Sequence, residues 1–346
     1  MQISTKQALL SVENLKKHFP LKIPWTKALF SKERPTVKAV DGVSFEIKKG
    51  ETLGLVGESG SGKTTIGRVV IRLTDPTDGK INFDGRDITK LSKERLRRAR
   101  RDFQMIFQDP MASLNPYMRI GKTVSHPLEI HKIGTPAERK ARVLSLFEKV
   151  NLIPAAEFYD RFPRHLSGGQ RQRVVIARAI VTNPKFVVAD EATAMLDVSV
   201  RSQILKLMID IKEELNLTYL FITHDLASAK YICDRIAVMY LGKIVEVAKT
   251  PNLFEEPLHP YTRILMSAVP IPDPKLKRSK IIPKGEIPSP INVPSGCRFH
   301  TRCPYAMKIC SVEEPELIEH EGRLVACHLF DEKGDGVKEK LRDLKA

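Results

Sequence analysis

The stretch GESGSGKTT, Gly57 to Thr65, constrains the fold of this chain more than any other. It follows a short apolar run, ETLGLVG, and opens KTTIGRVVIRL, whose spacing is helical. Strand, glycine loop and helix in that order fit the pattern G-x-x-x-x-G-K-S/T, and the residue types follow from what binding phosphate requires. Glycines permit a tight turn that aims several backbone N–H groups at one point. The N-terminus of the next helix adds positive potential there. Lys63 supplies a point charge for β- and γ-phosphates, and the Thr64 hydroxyl is a Mg2+ ligand type. Gly57, Glu58, Ser59, Gly60, Ser61, Gly62, Lys63, Thr64 and Thr65 are therefore the candidate phosphate-binding residues.

Two further stretches suit the same chemistry. In KFVVADEAT an apolar strand ends at Asp190, where a carboxylate can hold Mg2+ through water. Glu191 follows directly and is placed to polarise a water that attacks the γ-phosphate. In LSGGQRQR, residues Ser167, Gly168, Gly169 and Gln170 open a helix, a second set of backbone donors suited to phosphate.

The rest of the chain reads as strands and helices in alternation. ALLSVENL, VKAVDGVSFEI, KINFDG and RDFQMIFQ have strand character, with a loop from Pro20 to Pro35 between the first two. From Asp109 to about Val181 strands give way to helical segments such as PAERKARVLSLFEKVNL. KFVVAD, TYLFITH and RIAVMYL then alternate with the helix VRSQILKLMIDIKEEL. Such alternation predicts a mostly parallel α/β sheet. Beyond Val269 a proline- and lysine-rich arm leads into PSGCRFHTRCPYAMKIC.

Taken together, the glycine loop, LSGGQ and VVADEATAMLD resemble the ATPase subunit of an ABC transporter, over about residues 9–268. The resemblance implies a P-loop NTPase fold with a mostly parallel core sheet, an antiparallel β subdomain, a helical subdomain at about 109–181 and a small Cys-rich C-terminal extension. It divides the chain into a nucleotide-binding domain, 1–269, and an extension, 270–346. It implies ATP and Mg2+ as ligands. Gln108 matches the family's Q-loop glutamine and a further Mg2+ ligand. Asp197 matches the D-loop, His224 the switch histidine, and Glu191 the catalytic base. Phe19 lies where the family puts an aromatic against adenine, with Phe30 and Trp25 as alternatives.

FQDPMASLNPYMRIG, EEPLHPYTRILMSAVP and the cysteine-bearing tail are similar to the dipeptide/oligopeptide importer branch, and GESGSGKTTIGRVVIRLTDPTDG to the second of its two ATPase subunits. The branch implies a heterodimer with a second, homologous ATPase subunit, two transmembrane permease subunits and an extracytoplasmic solute-binding protein. Its members import peptides, metal chelates or oligosaccharides. A soluble ABC ATPase working on nucleic acid or ribosomes is the rival; such proteins usually carry two cassettes or a long coiled-coil insert, and this sequence has neither.

Three of the five cysteines, Cys297, Cys303 and Cys310, fall within that tail motif, and Cys327 follows. No stretch approaches the ~18 apolar residues of a membrane helix, and the first residues lack a signal-peptide pattern. A cytoplasmic setting is expected, at the inner face of the membrane, where disulfides are rare. Four thiolates suit zinc or an iron–sulfur cluster. The lack of a close pair disfavours zinc, and the branch's association with a [4Fe-4S] cluster favours the latter, in a structural role. The net charge of +16 is compatible with nucleic acid, an anionic leaflet or a solvated surface. No nucleic-acid motif accompanies it. The run KERLRRARR, Lys93 to Arg101, has apolar residues only at Leu96 and Ala99 and reads as an exposed helix face.

Overall fold

The computed structural model describes residues 8–21, 35–267 and 285–331. Its strands are β1 (Ala8–Pro20), β2 (Thr36–Lys48), β3 (Thr52–Val56), β4 (Asp78–Phe83), β5 (Arg86–Asp87), β6 (Phe103–Ile106), β7 (Phe186–Asp190), β8 (Thr218–Ile222), β9 (Arg235–Tyr240), β10 (Lys243–Lys249), β11 (Ile318–His320) and β12 (Arg323–Val325). They form two sheets. An antiparallel sheet of order β2-β1-β4-β5 lies beside a larger one of order β11-β12-β10-β9-β3-β8-β7-β6.

The run β9-β3-β8-β7-β6 is parallel. Every residue of β3, β7 and β8 is buried, because helices and the second sheet cover both faces. That is why these segments are continuous apolar runs. β1 instead alternates over part of its length, sending Leu10, Val12 and Leu15 inward. One hydrophobic cluster joins β1, β2 and β4 to one face of β3, β7 and β8 and to Ile66, Val69 and Val70 of the helix Lys63–Val70.

Between β6 and β7 the described chain is helical: Ile120–Ile130, Pro136–Lys149, Ala155–Tyr159 and Gly168–Ile180 are its longer pieces. Thr135 and Glu138 close a reciprocal cap on the second of these, which fixes where it starts. Val124, Leu128, Val143 and Phe147 bury against Val174 and Ile176 of the last, so the insert shares the main core. The basic run forms the helix Lys93–Ala99, capped by Ser92 and seated by buried Leu96, with Ala99 packed partly against the core. Gln108 stands two residues beyond the end of β6 rather than within it.

The described part of the tail does not hang free. β12 pairs with β10, setting Glu246 opposite Val325 and Val247 opposite Leu324, and β11 pairs with β12. The central sheet is thereby extended by two strands. Lys38 of β2 donates its N–H to the Pro290 carbonyl at 3.3 Å. Phe299 is fully buried between Tyr240 and Tyr261, with ring centroids 5.2 and 5.4 Å away.

Candidate nucleotide site

The phosphate loop leaves β3 at Val56 and feeds the helix Lys63–Val70. Two of its glycines are forced by neighbours as well as by backbone angle. Gly62 has φ +104°, and a Cβ there would lie 2.0 Å from the Ala39 carbonyl oxygen. A Cβ on Gly57, at φ +152°, would lie 2.1 Å from that of Met239. Only glycine lets β2 and β9 press this close. Lys63 is buried, its ammonium donating to the Gly57 and Glu58 carbonyls at 2.8 and 2.9 Å. Burial pushes its pKa down, against the pull of Glu191, Asp190 and Glu58. The loop thus holds a partly desolvated cation whose charge is best satisfied by incoming phosphate.

Asp190 ends β7 and accepts the Thr64 hydroxyl at 2.9 Å. Burial raises its pKa despite that bond and the nearby Arg68 and Lys63. A hydroxyl and a carboxylate side by side are hard oxygen donors of the kind Mg2+ takes, with phosphate oxygens and water completing the shell. Glu191 sits at φ +48°, a left-handed conformation uncommon for a side-chain-bearing residue, held by its N–H to the Ile222 carbonyl at 2.9 Å. That turn swings its carboxylate between two neighbours. Gln108 Nε2 donates to Oε2 at 2.8 Å, and His224 Nδ1 lies 3.2 Å from Oε1. Residues 108, 191 and 224, from three separate loops at the ends of the parallel strands, meet at one carboxylate.

A cleft of about 470 Å³ lies over this group. Ser59, Gly60, Gly62, Lys63, Thr64 and Thr65 line it together with Gln108, Glu191 and His224. Residues 40–194 match the ABC transporter family, and residues 245–310 match the oligopeptide/dipeptide transporter C-terminal region. The oligopeptide transport ATP-binding protein AppF of Bacillus subtilis (strain 168) is 48% identical over 334 residues, 95% of this chain and 100% of AppF. The chain belongs to the ABC transporter ATPases. Two solved members agree with the fold. The post-hydrolysis dimer of the ATP-binding cassette MJ0796, bound to ADP and Pi, has a TM-score of 0.61 at 30% identity, covering 70% of this chain and 98% of that one. CbiO1 of Clostridium perfringens, described as part of the ABC transporter complex cbiONQ, has a TM-score of 0.61 at 28% identity, covering 72% and 91%. As an ABC ATPase, the chain binds and hydrolyses ATP.

Other expected residues lie elsewhere. Ser167 caps the helix Gly168–Ile180: its hydroxyl accepts the Gln170 N–H at 3.3 Å, and Gln170 Oε1 accepts the Ser167 N–H at 3.0 Å. None of Ser167, Gly168, Gly169 and Gln170 lines the cleft, and Ser167 and Gly168 are exposed. Asp197 caps the helix Val198–Leu215, accepting the Val200 N–H at 2.9 Å, and also stays outside the cleft. Phe19 does not line it either. Its ring is 39% exposed with the Lys17 ammonium 5.0 Å above it, whereas its cross-strand partner Val37 does line the cleft. The alternatives Phe30 and Trp25 lie outside the described residues.

Sequence reasoning missed Ala39 and Pro290 as walls of the cleft. Pro290 comes from the tail, and no local pattern marks it.

The four tail cysteines are not a ready ligand set. All are free thiols; Cys310 and Cys327 are buried, Cys297 and Cys303 partly so. Burial pushes Cys297 up to about 11 and Cys303 to about 12, and also raises Cys327 well above the ordinary thiol value. Cys327 senses the charge of the other three, so the four share one neighbourhood. Yet among the described residues no group of three or more His, Cys, Asp or Glu is placed to hold a metal ion. Burial favours the neutral thiol at Cys297, Cys303 and Cys327.

Proposed function

We propose that this chain powers uptake of di- or oligopeptides, or related solutes, as one ATPase subunit of an ABC importer. The observation that carries the reading is near-full-length likeness to an oligopeptide transport ATP-binding protein that extends through the tail region. The chemistry at the cleft follows from its side chains. Glu191 takes a proton from water as the water oxygen bonds to the γ-phosphorus and the bond to the β-phosphate oxygen breaks. Gln108 and His224 hold Glu191 and the water in line. Mg2+, when bound at Thr64 and Asp190 with Gln108 nearby, neutralises phosphate charge.

One phosphate loop and one LSGGQ segment lie on separate parts of the chain. A second ATPase subunit is therefore needed to bring an LSGGQ segment over this nucleotide, and we take it to be a homologous, different chain. Two permease subunits complete the membrane complex. A second cleft of about 580 Å³, lined by Phe107, Gln108, Asp109, Ala112, Ser113 and Arg178 among others, suits a coupling helix from one of them. No helix among the described residues is long and apolar enough to cross a membrane. We place the chain peripherally on the cytoplasmic face, with solute delivered by an extracytoplasmic binding protein.

The tail thiols are read as the donors of a structural [4Fe-4S] cluster, each on a different iron, with zinc as the alternative. Shared neighbourhood and donor chemistry support this, not a formed site. Anaerobic purification with metal analysis tests it: iron and sulfide with absorbance near 400 nm support the cluster, and stoichiometric zinc or a metal-free tail refutes it. Uptake of labelled peptides by proteoliposomes carrying the whole transporter tests the main reading. ATP-dependent import of another solute class, with no peptide import, refutes it.

A further inference from the structure

A carboxylate inside a loop that receives phosphates is an electrostatic liability, and Glu58 is one. Its carbonyl accepts the Lys63 ammonium at 2.9 Å, so it cannot move away without disturbing the loop. Its side chain is met by Arg302 of the tail. Nη1 donates to Oε2 at 2.8 Å and Nη2 to Oε1 at 3.2 Å, a two-pronged pair bridging 244 residues of sequence. The Arg302 side chain is only 6% exposed. It is wedged 5.9 Å from the rings of both Tyr240 and Phe299. The Glu58 N–H donates to the Tyr261 hydroxyl at 2.9 Å, so the loop is gripped at backbone and side chain.

Arg298 stands four residues earlier, on the same turn-rich segment between Cys297 and Cys303. It donates to Asp41 and to the Leu241 carbonyl. The adjoining Gly242 N–H donates to the Ser61 carbonyl of the phosphate loop at 2.9 Å. One short tail segment therefore supports the loop from two sides.

We infer that Arg302 is a positioning residue for ATP: it neutralises Glu58 and fixes the phosphate loop, so the tail sets nucleotide affinity. In water such a pair would count for little. Buried between aromatic rings and bonded at two points, it is strong and hard to replace. Unpaired, the Glu58 carboxylate would oppose the triphosphate beside Lys63.

The inference rests on the nucleotide reading, which binding of ATP by the wild-type chain tests separately. The experiment compares the full-length chain with Arg302→Met, Glu58→Gln and the double variant. Each is measured for affinity toward a fluorescent ATP analogue and for thermal melting. Arg302→Met is expected to weaken binding about tenfold, the scale of one charged hydrogen-bonded contact. Adding Glu58→Gln is expected to restore affinity to within about threefold, because the uncompensated charge is gone. In the assembled transporter, KM should rise with kcat little changed. Unchanged affinity in Arg302→Met overturns the inference. So does a double variant as weak as Arg302→Met, which would mean the arginine matters only for packing. Should Arg302→Met not fold, Arg302→Lys carries the test. It keeps the charge without the two-pronged grip and is expected to bind at least about threefold more weakly; equal affinity overturns the inference.

Discussion

Replacing Glu191 by glutamine separates chemistry from binding at this site. The two side chains have nearly the same shape, so the substitution leaves the turn at φ +48° and the pocket walls in place. Two contacts surround the carboxylate, Gln108 Nε2 at 2.8 Å and His224 Nδ1 at 3.2 Å. Gln108 donates, and glutamine offers only one oxygen, so at most one of these contacts is lost, about 1 kcal/mol. The larger effect is on the reaction. An amide cannot take the proton from water, and a positioned general base contributes roughly 10²–10⁴ in rate, about 3–5 kcal/mol in barrier. Neither Lys63, Thr64 nor the loop N–H groups change, so ATP still binds. The assay is phosphate release by the reconstituted transporter at saturating ATP, beside analogue binding to the separate subunit. Turnover at this site is expected to fall by that factor with affinity within about threefold. In the proposed pair of ATPase subunits, the other subunit can supply at most its own share. A whole-transporter rate above half the wild-type value, with nucleotide still bound, refutes the assignment.

Asp190→Asn is expected to raise the melting temperature of the nucleotide-free chain at neutral pH while weakening Mg2+-dependent ATP binding. The raised pKa means the buried charge is disfavoured in the fold, and the neutral amide removes that cost. Gly62→Ala is expected to weaken ATP binding at least about tenfold, since Cβ cannot share space with the Ala39 carbonyl and the loop must shift; affinity equal to wild type contradicts the geometry. His259 is fully buried, accepts the Tyr261 N–H at 3.0 Å and has its pKa pushed down by burial to about 3, from 6.5. The unfolded chain therefore binds a proton that the folded chain does not between those values. The contribution is complete above pH 6.5 and is lost as pH falls toward 3, by up to about 1.4 kcal/mol per unit. His259→Asn keeps an acceptor for that N–H, and its denaturant-measured stability should fall less steeply than wild type below pH 6.5; parallel profiles refute the mechanism.

What could be read from the sequence was whatever is encoded locally. The phosphate loop is nine consecutive residues, and its glycines, lysine and threonine act through their own backbone and the next helix. Asp190 and Glu191 are legible because a buried parallel strand must be apolar and must stop, and the carboxylates mark the stop. Ser167 is legible because a helix start carries its own chemistry. Gln108 and His224 needed the family resemblance, for nothing local distinguishes them from ordinary loop residues. The illegible parts are pairings over distance. Whether Phe19 faces the cleft depends on the register of β1 against β2, which has several shifts, and Val37 lines it instead.

Glu58 is the sharpest case. The phosphate-loop pattern treats its position as free, since only the glycines, the lysine and the threonine are demanded by phosphate. Its actual environment is set by Arg302 of the tail and by Tyr261. A position left open by local chemistry is available for coupling to a distant element. Here that element is the segment between Cys297 and Cys303. Arg298 and Arg302 both lie between those two thiols, and each carries one ion pair across the fold, to Asp41 and to Glu58.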